Sequence, residues 1–138
     1  MAIKSKILLP IGFFYPAENG GPALTLYWIT KSLKMVNVDV SVITTTNGIE
    51  DGVITPNQWL ETEAGNVIYL ATGNPNYSLR YLYFSLKSIK NFDIIVITSV
   101  FAFSSLIFVI FAQISKKKII ISPRGEFDPK ALVYKKPL

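Results

Sequence analysis

Short apolar runs alternate with helical patterns along most of the chain. Five runs predict buried strands: Lys6–Ile11, Val38–Thr45, Asn66–Ala71, Asp93–Thr98 and Lys118–Ser122. Apolar residues at helical spacing predict three helices: Ala23–Asn37, Tyr77–Lys90 and Ser104–Ser115. A further helix is expected to begin after Pro129. Strands that alternate with helices predict an α/β fold with a doubly wound parallel sheet and right-handed crossovers.

The apolar positions also predict which face of each helix is buried. The first helix is expected to bury a stripe of Leu26, Ile29, Leu33 and Val36. The second is expected to bury one face: Leu79, Leu82, Tyr83, Leu86 and Ile89. Residues 49–65 are polar and interrupted by glycine and proline, which predicts a long loop with one helical turn around Gln58–Glu61.

One long segment has two interpretations. From Ile94 to Ser115 the chain carries no charge over 22 residues, which is long enough to span a bilayer. Serines within it, and charges on either side, favour a buried strand at Ile94–Thr98, a turn, and a separate apolar helix. Because that helix is apolar nearly all round, exposed apolar surface and self-association are expected.

The joint after the first strand combines an aromatic loop with a glycine pair. Phe13, Phe14 and Tyr15 precede Gly20 and Gly21, and a helical pattern follows at once. Free backbone N–H groups and the positive end of a helix suit a phosphate at such a joint. Glu18 and Asn19 either contact a ligand or shape the loop. The alternative is an ordinary turn, in which glycine supplies conformational freedom and the aromatic rings pin the loop to its own domain.

A second polar loop follows the last predicted strand. Arg124, Gly125 and Glu126 lie there, and an arginine fork suits a phosphate or a carboxylate. Glu126 could orient a sugar hydroxyl or act as a base, whereas Asp128 before Pro129 is typical of a helix N-cap. This loop, the glycine loop and residues 98–103 all follow strand ends, so we expect them to converge on one site.

Composition excludes several kinds of chemistry. The chain of 138 residues contains no cysteine and no histidine, which excludes disulfides, thiol nucleophiles and histidine-based acid–base machinery within it. No convincing metal-ligand cluster occurs, so neither a metal nor another cofactor is expected. Residues 64–138 carry a formal charge of +7 and residues 1–63 one of −2. Because no basic helix or known motif accompanies the positive half, nucleic acid is not expected as a partner.

Three segments together resemble a known family. They are Phe-Tyr-Pro-Ala-Glu-Asn-Gly-Gly-Pro-Ala from Phe14, Val-Ser-Val-Ile-Thr-Thr from Val40, and Ile-Ser-Pro-Arg-Gly-Glu-Phe-Asp-Pro-Lys-Ala-Leu from Ile121. In this order they resemble the N-terminal, acceptor-side domain of family-4 retaining glycosyltransferases with the GT-B fold. The resemblance covers nearly the whole chain.

The resemblance implies a role for this domain and for the residues of its two loops. Residues 1–138 would form one Rossmann-like domain of a two-domain enzyme that moves a sugar from a nucleotide sugar to a saccharide or lipid-linked acceptor. Gly20 and Gly21 would approach the donor diphosphate, while Tyr15, Glu18, Asn19, Arg124, Gly125 and Glu126 are acceptor or cleft candidates. Many relatives carry a histidine where this chain has Arg124-Gly125, so only the position is carried over, not the role.

The resemblance also implies a context. The donor-binding C-terminal domain, with its paired glutamates, is absent from these residues, so the isolated chain is expected to be inactive. The complete enzyme would act in cell-surface polysaccharide synthesis, in the cytoplasm and at the periphery of the membrane. Two alternatives remain open: a stand-alone Rossmann-type nucleotide- or phosphate-binding module, and a non-catalytic interaction protein associated with the membrane.

Overall fold

A computed structural model describes residues 4–17, 21–75, 78–124 and 128–130 of the chain. These residues form strands and helices in the following order: β1 (Lys6–Pro10), α1 (Gly21–Met35), β2 (Asp39–Thr45), β3 (Trp59–Thr62), β4 (Gly65–Leu70), α2 (Leu79–Ile89), β5 (Ile94–Ile97), α3 (Phe103–Ile114) and β6 (Lys118–Ile121). The fold is therefore α/β. The five predicted strands and three predicted helices are all present, and no end shifts by more than two residues.

The strands form one mixed sheet in the order β3-β4-β2-β1-β5-β6. β1 pairs in parallel with β2 on one side and with β5 on the other. β4 and β6 extend the parallel part on either side, but β3 pairs antiparallel with β4 at the edge. The predicted parallel sheet is therefore confirmed for β1, β2, β4, β5 and β6, whereas β3 adds an antiparallel strand that was not predicted.

β3 replaces the loop predicted at this position. Where the pattern predicts a helical turn around Gln58–Glu61, the chain instead forms a hairpin with β4 through Glu63 and Ala64. The Thr62 hydroxyl donates to the Gly65 carbonyl at 2.8 Å and accepts from the Ala64 N–H at 3.1 Å, which closes the turn. Gly65 has φ +102°, a conformation that glycine adopts without strain.

Apolar side chains fill both faces of the sheet. On one face, β1 and β5 pack under α2 and α3 in a cluster that includes Leu8, Ile95, Tyr81 and Phe108. On the other face, α1 covers a second cluster around Leu9, Val42 and Val67. Strands that are buried on both sides require the near-continuous apolar runs seen in the sequence.

The buried faces of two helices differ from the predicted ones. α1 buries Ala23, Leu26 and Thr30, whereas Ile29 and Val36 are exposed. Thr30 can be buried because its hydroxyl donates to the Leu26 carbonyl at 2.9 Å.

α2 shows the same kind of shift. It buries Tyr81, Ser85 and Ile89, while Leu79 and Tyr83 are exposed. The Tyr81 ring lies edge-on against Phe108 of α3, with centroids 5.8 Å apart. The orientation of α2 therefore depends on α3 as well as on the sheet.

The long uncharged segment divides as the serines indicate. It forms β5, a turn and α3, so the interpretation as a strand plus a helix is confirmed. Among the residues that the structure describes, no helix is both long and apolar enough to cross a bilayer.

Candidate functional site: a crevice at the reversal of strand order

A crevice of about 980 Å³ opens beyond the carboxyl ends of β1 and β5. From β1 the chain continues outward to β2, and from β5 it continues in the opposite direction to β6, so the strand order reverses here. In parallel sheets this reversal is where ligands bind. Residues 10–13, residues 98–99 and 101–105, and Arg124 line the crevice, which confirms the expected convergence of three loops in their described parts. The loop before α2 also contributes, through Pro75 and Ser78.

The helices α1, α2 and α3 all begin at this crevice. Pro22 and Ala23 of α1, Leu79 of α2, and Phe103 of α3 line it. No acidic residue occurs in the first turn of any of these helices, so no carboxylate there offsets the positive end of the helix dipole.

The helix starts differ in how their backbone N–H groups are satisfied. The Ser78 hydroxyl caps α2 by accepting the Tyr81 N–H at 3.1 Å, and it also accepts from the Thr72 hydroxyl at 2.6 Å. The N-cap of α3 is Ala102, which offers no side-chain acceptor. The first turn of α3 therefore keeps donors that an anion in the crevice could satisfy.

Arg124 adds a full positive charge to the crevice wall. The backbone N–H of Ser122 donates to the Ile97 carbonyl at 2.8 Å, which continues the β5–β6 ladder to within two residues of Arg124. The Nε atom of Arg124 is buried and has no hydrogen-bond partner among the described residues. No carboxylate occurs among the described residues that line the crevice. The guanidinium thus remains able to pair with an anionic ligand.

The rest of the wall is mainly apolar or hydroxylic. Phe13, Leu79 and Phe101 provide apolar surface, and Thr98 and Ser104 provide hydroxyl groups. Tyr81 also lines the crevice and is buried, and its burial raises the pKa of the phenol, so the group stays neutral. Such a wall suits a ligand that has an anionic group at one end and a ring or chain at the other.

Gly12 is a crevice residue that the sequence reasoning missed. A Cβ at this position would lie 2.7 Å from Pro75 Cγ, so the loops after β1 and β4 approach each other only because glycine is present. The Thr45 hydroxyl donates to the Gly12 carbonyl at 2.7 Å and holds the same loop against β2. The signal in the sequence that could have identified Gly12 as a crevice residue is its position, two residues after the apolar run of β1.

The predicted glycine pair is described only at its second member. Gly21 is the first residue of α1, and a Cβ added there would meet no atom within 4 Å. The fold itself therefore has no steric need for glycine at position 21. The remaining predicted site residues lie outside the described part of the chain: Glu18, Asn19, Gly20, Gly125 and Glu126.

The aromatic loop divides between the crevice and the domain core. Phe13 lines the crevice, but Phe14 is buried and the Tyr15 ring packs on Tyr27 with centroids 4.5 Å apart. The Tyr15 carbonyl accepts from the Tyr69 hydroxyl at 2.6 Å. Tyr15 therefore pins the loop to its own domain and does not line the crevice.

Asp128 has the geometry of a helix cap. Its Oδ1 accepts the Lys130 N–H at 2.8 Å, which confirms the cap interpretation of Asp128-Pro129. In the described part of the chain, no group of three acidic, histidine or cysteine residues could hold a metal ion.

Comparisons with protein-family models, with curated proteins and with solved structures found no match for this chain.

Proposed function

We propose that this chain is the acceptor-side half of a retaining glycosyltransferase, and that its crevice receives the phosphate-bearing end of a substrate. The observation that carries the proposal is the convergence on one crevice of three helix starts and of Arg124, whose Nε has no hydrogen-bond partner among the described residues. The positive ends of helices and a guanidinium stabilise phosphate oxygens, and no carboxylate among the described lining residues compensates that charge.

The parallel strands support a Rossmann-like assignment. Without the edge strand β3, the strand order is β4-β2-β1-β5-β6. This order matches a Rossmann fold in which β4, β2 and β1 belong to one mononucleotide-binding half, and β5 and β6 lie on the other side of the reversal. Helices cover both faces of the sheet. Together with the three segments that resemble family-4 glycosyltransferases, this order supports one half of a GT-B architecture.

The chemistry that this crevice can supply is electrostatic. Transfer from a nucleotide sugar builds negative charge on the departing diphosphate, and backbone N–H groups fixed in place lower the barrier without reorganising. The start of α1 after the glycine pair would serve the donor, whereas the apolar wall near Phe13 and Phe101 would hold a saccharide ring or a lipid-linked acceptor. A nucleotide-sugar donor puts the reaction in the cytoplasm.

Transfer itself is the decisive test. The whole open reading frame that contains these 138 residues is expected to move label from a nucleotide sugar to a saccharide or lipid acceptor, with retention of anomeric configuration. The 138-residue chain alone is expected to show no turnover, because the donor site would lie largely elsewhere. A panel of labelled nucleotide sugars with saccharide and lipid-extract acceptors measures both.

Two results would contradict the proposal. Turnover by the 138-residue chain alone would show that no second domain is needed. Micromolar nucleotide binding by this chain, with no transfer by the whole reading frame, would instead establish a stand-alone nucleotide-binding module.

Arg124 tests the anion site directly. Arg124→Gln is expected to weaken binding of a nucleoside diphosphate or pyrophosphate about 10- to 100-fold, the range for losing a charge-assisted hydrogen bond. The melting temperature should stay unchanged, because no described residue bonds to Arg124 Nε. Arg80→Gln, at an exposed position on α2, is the matched control. Nuclear magnetic resonance titration measures the affinities, and equal affinities for wild type and Arg124→Gln would remove Arg124 from the site.

A further inference from the structure

The outer face of α3 is an exposed apolar stripe. Phe103, Leu106, Ile110 and Ile114 follow each other at helical spacing, and between 44% and 72% of each side chain is exposed. The helix contains no charged residue. Exposed apolar side chains that are contiguous, and not scattered, mark an interaction surface.

The outer face of α2 beside it is basic. α2 and α3 pack next to each other on the same face of the sheet. Arg80, Lys87 and Lys90 are exposed along α2 or at its end, with the exposed Tyr83 between them. They recur at intervals of three to seven residues, so they lie on one side of the helix.

Further lysines lie at the end of this surface. Lys116 is exposed just after α3, and the Lys117 ammonium donates to the Lys90 carbonyl at 3.1 Å, which brings the ends of the two helices together. Between residues 78 and 124 the only acidic residue is Asp93, just before β5. Its carboxylate accepts the Lys6 backbone N–H at 2.9 Å, at the amino edge of the sheet. No acidic residue occurs within α2 or α3.

We infer that the α2–α3 surface, formed by the exposed residues of these two helices and Lys116, docks on an anionic lipid bilayer. Apolar side chains enter the boundary between headgroups and acyl chains, while the neighbouring cations pair with lipid phosphates. α3 is about 18 Å long, which suits a helix that lies in the plane of this boundary. Tyr83 has the amphipathic ring that is favoured there.

Charge distinguishes the bilayer from a second copy of the chain. A symmetric dimer through this surface would bring Arg80, Lys87 and Lys90 of one copy near the same cations of the other. That arrangement buries the apolar stripe but sets like charges against each other, whereas anionic headgroups neutralise them. The inference does not depend on the reaction catalysed.

Vesicle binding tests the inference. The protein is expected to sediment with vesicles that contain 30 mol% phosphatidylglycerol and to remain in solution with pure phosphatidylcholine. Leu106→Gln/Ile110→Gln should weaken partitioning about tenfold or more, because two inserted apolar groups are lost. Lys87→Gln/Lys90→Gln should weaken it about thirtyfold, since each cation near an anionic surface contributes about a factor of five.

Matched controls use equally exposed positions away from this surface. Met35→Gln/Val36→Gln changes two exposed apolar residues at the end of α1, and Lys4→Gln removes a cation before β1. Both should bind vesicles like wild type, and circular dichroism should show native folding in every variant. Three results would overturn the inference: no binding of the folded wild type to anionic vesicles, equal losses in the controls, or a dimer in solution that Leu106→Gln/Ile110→Gln dissociates.

Discussion

Gly65→Ala is expected to lower the free energy of unfolding by about 3–5 kcal/mol, because the substitution combines two separate costs. Gly65 has φ +102°, and a Cβ there would overlap the backbone carbonyl oxygen of Val40 on β2. That oxygen belongs to a central strand and cannot move without disturbing the β2–β4 pairing. A loss of this size is a large share of the stability of an ordinary domain. Urea denaturation measures it.

Two other glycines separate the two costs. Gly52 also has positive φ, +85°, but open space surrounds the position of its Cβ, so Gly52→Ala should cost only about 1–2 kcal/mol. Gly73 has neither the unusual φ nor a close neighbour, so Gly73→Ala should be nearly neutral. If Gly65→Ala cost no more than Gly52→Ala, the steric overlap with Val40 would be excluded as a cause.

Gly21→Val in the whole protein is expected to lower turnover about 10²–10³-fold, which is the usual loss when one preorganised donor contact is removed. The same substitution should leave the melting temperature almost unchanged, because a Cβ at Gly21 meets no atom within 4 Å. Gly20→Val extends the test to the first glycine of the pair. The measurement compares the transfer rate and the melting temperature for each variant.

A control variant and the melting temperature distinguish a phosphate-binding role of the glycine pair from a purely structural one. Gly73→Val places the same side chain at another open glycine, in the loop between β4 and α2, and transfer should persist there. A glycine needed only for folding would make activity fall in step with the melting temperature. Variants at Gly20 and Gly21 that fold normally and keep near-full transfer rates would refute the phosphate-loop assignment.

Local patterns determined most of the secondary structure. β1, β2 and β5 follow from apolar runs, and the division of residues 94–115 follows from serines at a turn and a charge at each end. These signals are short-range, since burial on both faces of a strand and the start of a helix depend on neighbouring residues.

Strand pairing and helix packing decided the features that the local patterns did not predict. The four residues of β3 carry a weak alternation that could belong to a loop, and they become a strand because the Thr62–Gly65 turn aligns them with β4. α1 exposes Ile29 while it buries Thr30, and Val36, just after the helix, is also exposed. Helical periodicity identifies an apolar stripe, but the packing partner selects which part of it is buried.

The candidate site shows the same division between sequence and tertiary structure. The sequence by itself determined that loops follow the strand ends, that a glycine pair stands at the start of α1, and that Arg124 follows β6. Only the tertiary structure decided that three helix starts and Arg124 share one crevice, that Tyr15 turns away toward Tyr27, and that Gly12 meets Pro75. The physical reason is that strand order brings together residues distant in sequence, and no local pattern encodes that order.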